Sequence, residues 1–160
     1  RIAEVLSDID PEGTGYYSAN AADYVAKLAD LDAAFREAVE GSSTRVIVHG
    51  GHYAFGYLAN RYGLEYVAAQ GFSPDSEPGP KQLMQLMEVI KQTGAKYIFY
   101  EELVEPKMAK AISEETGIGM LLLHAGHNVS KQQFESGATF LDLMRGNLEN
   151  LRIGLGYHGK

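Results

Sequence analysis

Four of the five histidines occur as two pairs with the same spacing, and these pairs are the clearest chemical signal in the chain. His49 and His52 form one His-x-x-His pair, and His124 and His127 form the other, far away in the sequence. Imidazole nitrogen binds zinc well, and the chain has no cysteine to compete as a softer ligand. The two pairs therefore indicate a transition-metal site in which histidine is the main ligand.

Short apolar runs alternate with helical stretches, and they place the histidines at the ends of predicted strands. The predicted elements are strands at residues 45–48, 65–69, 97–100 and 120–123, and helices at 54–62, 81–93, 106–116 and 138–155. Strands that are each followed by a helix predict an α/β fold with a four-stranded parallel sheet flanked by helices, a Rossmann-like layer.

One long helix precedes this layer. Asp10-Pro11-Glu12 favours a helix start, since proline suits the first turn and acidic residues suit the positive helix end. Apolar residues then recur at helical spacing as far as Glu40, and Gly41 ends the helix. The residues of that apolar face are Tyr17, Ala21, Tyr24, Leu28, Leu31 and Phe35.

In open parallel sheets, ligands bind beyond the carboxyl ends of the strands, and both histidine pairs fall there. Four carboxylates are predicted at the same edge and could bind metal or orient a histidine: Asp75, Glu77, Glu101 and Glu102. His49 directly ends a strand, which favours packing or turn capping over metal binding. Gly50 and Gly51 fit no phosphate-binding motif, and we expect them to allow a sharp turn from strand to helix.

Composition excludes several classes of function. The net charge of −7 argues against a nucleic-acid partner, which needs basic patches to meet phosphates. The absence of cysteine excludes disulfides and thiolate metal sites. No apolar run is long enough to span a bilayer, and no signal peptide is recognisable. Because the first residue is arginine, we expect a processed chain or a cloned fragment.

Two segments resemble a family signature. Residues 52–57, His-Tyr-Ala-Phe-Gly-Tyr, and 61–64, Arg-Tyr-Gly-Leu, are similar to the signature of the zinc- and manganese-binding solute-binding proteins of ABC importers. Asp10-Pro11, residues 99–102 (Phe-Tyr-Glu-Glu) and residues 147–151 (Asn-Leu-Glu-Asn-Leu) also match the family's habits. The resemblance covers nearly the whole chain, with the segments in the right order.

The resemblance implies two α/β lobes joined by a long backbone helix, with the metal between the lobes. Residues 1–43 are then the end of an N-terminal lobe helix and the backbone helix, and 44–160 are the C-terminal metal-binding lobe. The missing N-terminal lobe of the same protein is expected to supply two histidines. His52 matches the family's histidine ligand. The loop after the last strand lacks the family's acidic ligand, so we expect a histidine to replace it, with His127 the first choice and His124 the second.

The implied function is extracytoplasmic capture of a divalent metal and its delivery to the permease of an ABC importer, without enzymatic activity. Zinc is the expected metal and manganese the alternative, since manganese prefers oxygen ligands. We expect a monomer located in the periplasm or anchored as a lipoprotein on the cell surface. The alternatives are an adhesin of the same family, or a zinc-dependent hydrolase with Glu101 or Glu102 as base.

Overall fold

The computed structural model describes residues 1–69, 79–103 and 105–159. Two compact units make up the chain, Arg1–Ala34 and Phe35–Lys160. The predicted division into 1–43 and 44–160 is a functional one drawn from the resemblance, and it stays a prediction.

The N-terminal unit consists of helices. Helix α1 spans Ile2–Ile9, a short 3-10 helix spans Pro11–Gly13, and α2 begins at Thr14 and extends to Glu40. Asp10 starts the new helix as predicted: Gly13 N–H donates to its Oδ1 at 3.3 Å, and the Tyr17 hydroxyl donates to its Oδ2 at 2.7 Å. Many apolar side chains of this unit are exposed, among them Ile2, Val5, Ile9, Tyr16 and Val25.

The second unit contains the predicted four-stranded parallel sheet. Its strands are β1 (Val46–His49), β2 (Glu65–Ala68), β3 (Tyr97–Tyr100) and β4 (Gly119–Leu122), in the spatial order β2-β1-β3-β4. In register, His49 of β1 pairs with Phe99 of β3, and Tyr100 of β3 pairs with Leu122 of β4. The carboxyl ends of β1, β3 and β4 therefore lie side by side, with β3 in the middle.

Helices follow the strands as the apolar spacing predicts. They are α3 (Gly56–Tyr62), α4 (Pro80–Thr93), α5 (Lys107–Thr116), α6 (Lys131–Glu135) and α7 (Phe140–Gly154). A glycine in the left-handed conformation ends each of α3, α4 and α5. Helix α6 is not predicted by the sequence, because five residues are too short to show a periodicity. Its signal was a capping box between Ser130 and Gln133.

Both faces of the sheet are covered, which is why its central strands are continuously apolar. On one face, Val48 and Ile98 belong to a core cluster that includes residues of two helices: Leu86 and Ile90 of α4, and Met108, Ala109 and Ile112 of α5. On the other face, α7 approaches closely at Gly154, where a Cβ would collide with the ring of Phe99. This arrangement fixes the sheet edge that carries the histidine loops.

Within the described residues, no helix is both long enough and apolar enough to cross a membrane.

Candidate metal centre

Three loops meet at the carboxyl edge of the sheet, because β1, β3 and β4 are neighbours. The loop after β1 carries His52, the loop after β3 begins with Glu101 and Glu102, and the loop after β4 carries His124 and His127. The two glutamates therefore lie between the two histidine loops. Both carboxylates are largely shielded, with side chains only 9% and 8% exposed. The predicted convergence of the histidine loops and these glutamates on one edge is what the structure shows.

His52 has a defined hydrogen-bonding partner. Its Nδ1 lies 2.6 Å from Oε1 of Glu101. A carboxylate oxygen can only accept, so Nδ1 carries the proton and donates it. The ring is 21% exposed, and in its neutral form Nε2 then carries the lone pair. This is the tautomer in which an imidazole can bind a metal ion through Nε2.

The backbone of the same loop is anchored by Tyr66 of β2. Its hydroxyl donates to the carbonyl oxygen of His52 at 3.1 Å. Burial raises the pKa of the Tyr66 hydroxyl well above its usual value, so it remains a donor at physiological pH. The sequence alone does not reveal this role of Tyr66, because a tyrosine in a predicted strand is first explained by packing.

His49 is a core residue, as its position at the end of a strand favours. It is fully buried, and its ring lies edge-on to Phe55 with centroids 5.2 Å apart. Nδ1 accepts a hydrogen bond from Gly51 N–H at 3.2 Å, so the proton resides on Nε2. Nε2 has no hydrogen-bond partner among the described residues. Burial, followed by the nearby charge of His52, lowers the pKa of His49 to about 4.

His124 repeats the arrangement of His49. It is 3% exposed, and its Nδ1 accepts from Gly126 N–H at 3.0 Å, so Nε2 carries the proton here too. Oε1 of Glu102 is farther from Nδ1, at 3.4 Å, which is long for a hydrogen bond. The other Glu102 oxygen accepts from Ala125 N–H at 2.8 Å. Glu102 therefore holds the backbone of this loop, and the ring is held by Gly126.

The two loops share a sequence pattern that explains this repetition, His-x-Gly-His at residues 49–52 and 124–127. In each, the first histidine is buried and accepts from the N–H of the glycine two residues later. The second histidine is more exposed: His52 is partly exposed, and His127 is exposed. Within the described residues, the His127 ring has no hydrogen-bond partner. In each loop, therefore, the first histidine of the pattern holds the backbone in place, and the second is accessible from outside.

Asn147 of α7 anchors the second loop, a role that its position in the sequence does not predict. Its side chain is 2% exposed; Oδ1 accepts from His124 N–H at 2.6 Å, and Nδ2 donates to His124 C=O at 2.7 Å. One turn later, Asn150 Nδ2 donates to the carbonyl of Leu122 at 2.7 Å. An asparagine facing the core of a helix that is otherwise apolar on that side was the available signal.

Gly50 and Gly51 have a different role from the predicted one. Neither has a positive φ, so conformational freedom in a sharp turn does not explain them. A Cβ on Gly50 would lie 2.8 Å from the backbone nitrogen of Ala109, and one on Gly51 would lie 2.8 Å from Glu101 Oε1. Both positions require glycine because helix α5 and the Glu101 carboxylate approach so closely.

The described residues contain no cluster of three or more histidine and carboxylate side chains able to hold a metal ion. Asp75 and Glu77, which the sequence suggested at this edge, lie outside the described residues. The described residues therefore form an incomplete metal site. The imidazole of His52 offers Nε2, and that of His127 is exposed on the loop after β4.

The lowered pKa of His49 predicts acid sensitivity. Its folded pKa of about 4 lies below the ordinary value of 6.5, so the unfolded chain binds the proton more readily in between. Stability is therefore present above about pH 6.5 and is lost as the pH falls toward 4. We expect a loss of about 2 kcal/mol from this group between pH 7 and pH 5.

Urea unfolding of the chain at several pH values checks this prediction. His49→Leu should flatten the dependence between pH 7 and pH 5, whatever its effect on stability at pH 7. His158→Ala, which removes an exposed histidine that contacts Ser43, is the matched control. An unchanged slope in His49→Leu would contradict the prediction.

Relatives similar to this chain over most of its length are named for zinc. The chain is 35% identical over 159 residues to the zinc-binding protein AdcA of Streptococcus pyogenes serotype M18, covering 99% of this chain and 31% of that protein. It is 35% identical over 146 residues to the high-affinity zinc uptake system protein ZnuA of Bacillus subtilis, covering 91% of this chain and 46% of that protein. The chain thus spans less than half the length of these relatives.

Solved structures share the fold. The Zn(II)-bound ZnuA-like domain of Streptococcus pneumoniae AdcA superposes with a TM-score of 0.78 at 32% identity, covering 96% of this chain and 57% of that one. The laminin-binding protein Lbp of Streptococcus pyogenes gives a TM-score of 0.79 at 31% identity, with 96% and 57% covered. These neighbours confirm the predicted α/β fold.

A family model matches almost the whole chain. Its description is the periplasmic A component of the zinc-uptake complex, ZnuA, and it matches residues 1–154. Its members are solute-binding proteins rather than enzymes, in agreement with the sequence prediction, and the relatives named for zinc support zinc over manganese. Relatives described as periplasmic components or lipoproteins indicate an extracytoplasmic location. The chain belongs to the ZnuA family of zinc-binding solute-binding proteins of ABC importers.

Proposed function

We propose that this chain is the C-terminal lobe of a protein that captures zinc outside the cytoplasm and delivers it to an ABC importer permease. His52 and His127 are its metal ligands in this proposal. The observation that carries it is the hydrogen bond from His52 Nδ1 to Glu101, which leaves Nε2 free to bind a metal ion. Zinc is the substrate here, bound and released unchanged.

His127 is a better second ligand than His124 for a reason of tautomer and exposure. Nδ1 of His124 accepts from Gly126 N–H, so its Nε2 carries a proton and offers no lone pair. The His124 ring is also 3% exposed, whereas His127 is exposed on the same loop. Binding through His124 would require breaking its hydrogen bond to the backbone. The geometry supports His127 as first choice and His124 as second.

Two histidines fill half of a tetrahedral zinc site, and the N-terminal lobe supplies the other half in this proposal. Two observations support a missing lobe. The chain covers 57% of the Zn(II)-bound AdcA domain, so a comparable length is absent. Within unit 1–34, large apolar side chains such as Ile2, Tyr16 and Val25 are exposed, as expected of a surface that another part of the protein covers.

The test is to measure zinc affinity for this chain alone and for the complete two-lobe protein. We expect the complete protein to bind at least about 100-fold more tightly, or about 2.8 kcal/mol, because it adds ligands from the other lobe. Competition with a chromophoric zinc chelator gives both constants. Circular dichroism of the isolated chain, with and without zinc, controls for unfolding. Equal affinities for the two proteins would refute a site divided between lobes.

Delivery to the permease is tested separately. The complete protein, loaded with zinc, should bind the permease in detergent more tightly than the metal-free form does. We expect it to act as a monomer, which sedimentation of both forms can measure.

An adhesin role within the same family is the second candidate, because Lbp, a structural neighbour at 31% identity, is named for binding laminin. Immobilised laminin presented to metal-free and zinc-loaded two-lobe protein distinguishes the candidates. Transport alone predicts no saturable binding of either form, and an adhesin predicts saturable binding.

A further inference from the structure

The Glu101 carboxylate is held in an enclosed position beside a proposed ligand. Its side chain is 9% exposed, and Oε1 lies 2.6 Å from Nδ1 of His52. Glu101 follows β3 directly, and β3 is the neighbour of β1, so the backbone of the sheet sets the approach of the two side chains. A hydrogen bond to an ionised carboxylate is stronger than one between neutral groups.

Gly51 makes room for this contact. A Cβ at position 51 would lie 2.8 Å from Glu101 Oε1 and 2.9 Å from His49 Cε1. Any side chain there would push on the carboxylate or on the buried ring of His49. The glycine, the carboxylate and His52 therefore form one arrangement, in which each element is needed for the 2.6 Å contact.

The contact decides which nitrogen of His52 is free. His49 and His124 accept a backbone N–H at Nδ1, so both carry the proton on Nε2. His52 does the reverse, because Glu101 offers only acceptors. Among the three histidines whose rings have a hydrogen-bonding partner at this edge, His52 alone has the lone pair on Nε2. The difference comes from the partner, since His49 and His124 each face a glycine N–H, whereas His52 faces the Glu101 carboxylate.

We infer that Glu101 is a positioning residue, which fixes His52 in the tautomer with the proton on Nδ1 and leaves Nε2 free for zinc, without binding the ion itself. This rests on the proposed role of His52 as a ligand. Glu101 also sets the rotation of the ring, because a hydrogen bond at Nδ1 fixes the direction in which Nε2 points.

The first test needs no metal. Long-range ¹H–¹⁵N spectra of the histidine rings in the metal-free chain, at a pH where they are neutral, should show His52 with the proton on Nδ1 and His49 and His124 with it on Nε2. In Glu101→Ala, His52 should become a mixture of the two tautomers, while His49 and His124 keep theirs. Glu101→Gln retains an acceptor oxygen, so it should preserve the Nδ1–H tautomer.

The second test measures zinc affinity in the two-lobe protein. Glu101→Ala should weaken binding about 10- to 100-fold, the range typical when a ligand loses its hydrogen-bonding partner. Glu101→Gln should recover most of that loss. The matched control is Glu115→Ala, which removes the same charge from an exposed position near the end of α5 and should leave affinity unchanged.

The outcomes separate this inference from the proposed function. If the metal-free chain shows His52 with the proton on Nε2, or if Glu101→Ala leaves its tautomer unchanged, the inference is overturned whatever zinc does. If Glu101→Gln keeps the tautomer but loses as much affinity as Glu101→Ala, Glu101 is a ligand and the inference fails. If the tautomers behave as expected but the two-lobe protein binds no zinc, the proposed function fails and the inference about the His52 tautomer holds.

Discussion

Replacing His52 with alanine in the two-lobe protein should weaken zinc binding at least about 100-fold, the upper end of what losing a ligand's hydrogen-bonding partner costs. The variant removes the imidazole whose Nε2 is free, and it leaves the Glu101 carboxylate without its donor. The loss corresponds to about 2.8 kcal/mol of binding free energy. Stability of the metal-free protein should fall by about 1–3 kcal/mol, because the largely shielded Glu101 carboxylate loses its donor.

Zinc affinity, measured by competition with a chelator, checks this expectation alongside urea unfolding of the metal-free variant. His158→Ala removes another exposed histidine, far along the chain, and should bind zinc normally. His127→Ala should weaken binding to a similar degree as His52→Ala. His124→Asn, which removes the buried ring, should act mainly by lowering the stability of the metal-free protein. A variant His52→Ala with normal affinity would exclude His52 as a ligand.

The fold was predictable because its determinants are local and repeated. Apolar runs such as residues 97–100 bury both faces of a strand, and glycines at positions 63, 94 and 117 end the helices that follow. The parallel arrangement follows from strands that alternate with helices. Boundaries moved by one or two residues, as capping and fraying allow. Helix α6 was missed because five residues do not show a period.

The positions of the site residues were predictable, but their roles were not. Parallel topology requires His52, Glu101 and His127 to approach one edge, which the sequence alone indicates. Which ring nitrogen carries the proton depends on the partner at hydrogen-bonding distance, and spacing does not contain that. His49 and His52 belong to the same His-x-x-His pair, yet one is fully buried and the other is partly exposed. The glycine inside each pair was the unused signal.

Contacts between segments that are distant in the sequence could not be predicted either, because they depend on the three-dimensional arrangement. Gly51 is explained by the carboxylate of Glu101, which is 50 positions away, and Asn147 by a loop that begins 23 residues earlier. Neither contact follows from local propensity, because each needs the sheet order and the position of α7. The left-handed backbone at Leu103, with φ 61°, is also unforeseen for a residue with a side chain. It turns the chain directly after the two glutamates.

Asn147→Leu should destabilise the chain by about 2–6 kcal/mol, the largest effect on stability that we expect of a single change at this edge. Leucine fills the space but cannot satisfy the N–H and C=O of His124, which Asn147 bonds at 2.6 and 2.7 Å in a buried position. Each unsatisfied buried group costs about 1–3 kcal/mol, which is a large part of the stability of an ordinary domain.

Urea unfolding measures the loss, and Asn150→Leu is the matched control. Asn150 lies one turn along the same helix and donates a single hydrogen bond to the Leu122 carbonyl, so its loss should cost about 1 kcal/mol.

The two variants should also differ in function. Asn147 holds the backbone at the start of the loop that presents His127, so Asn147→Leu should weaken zinc binding in the two-lobe protein at temperatures where it remains folded. Asn150→Leu should bind zinc normally, because Leu122 belongs to β4, which the sheet holds in place. Equal losses of stability and affinity in both variants would mean that Asn147 acts only through the packing of α7. In that case Glu102 and Gly126 would position the loop carrying His127 without help from Asn147.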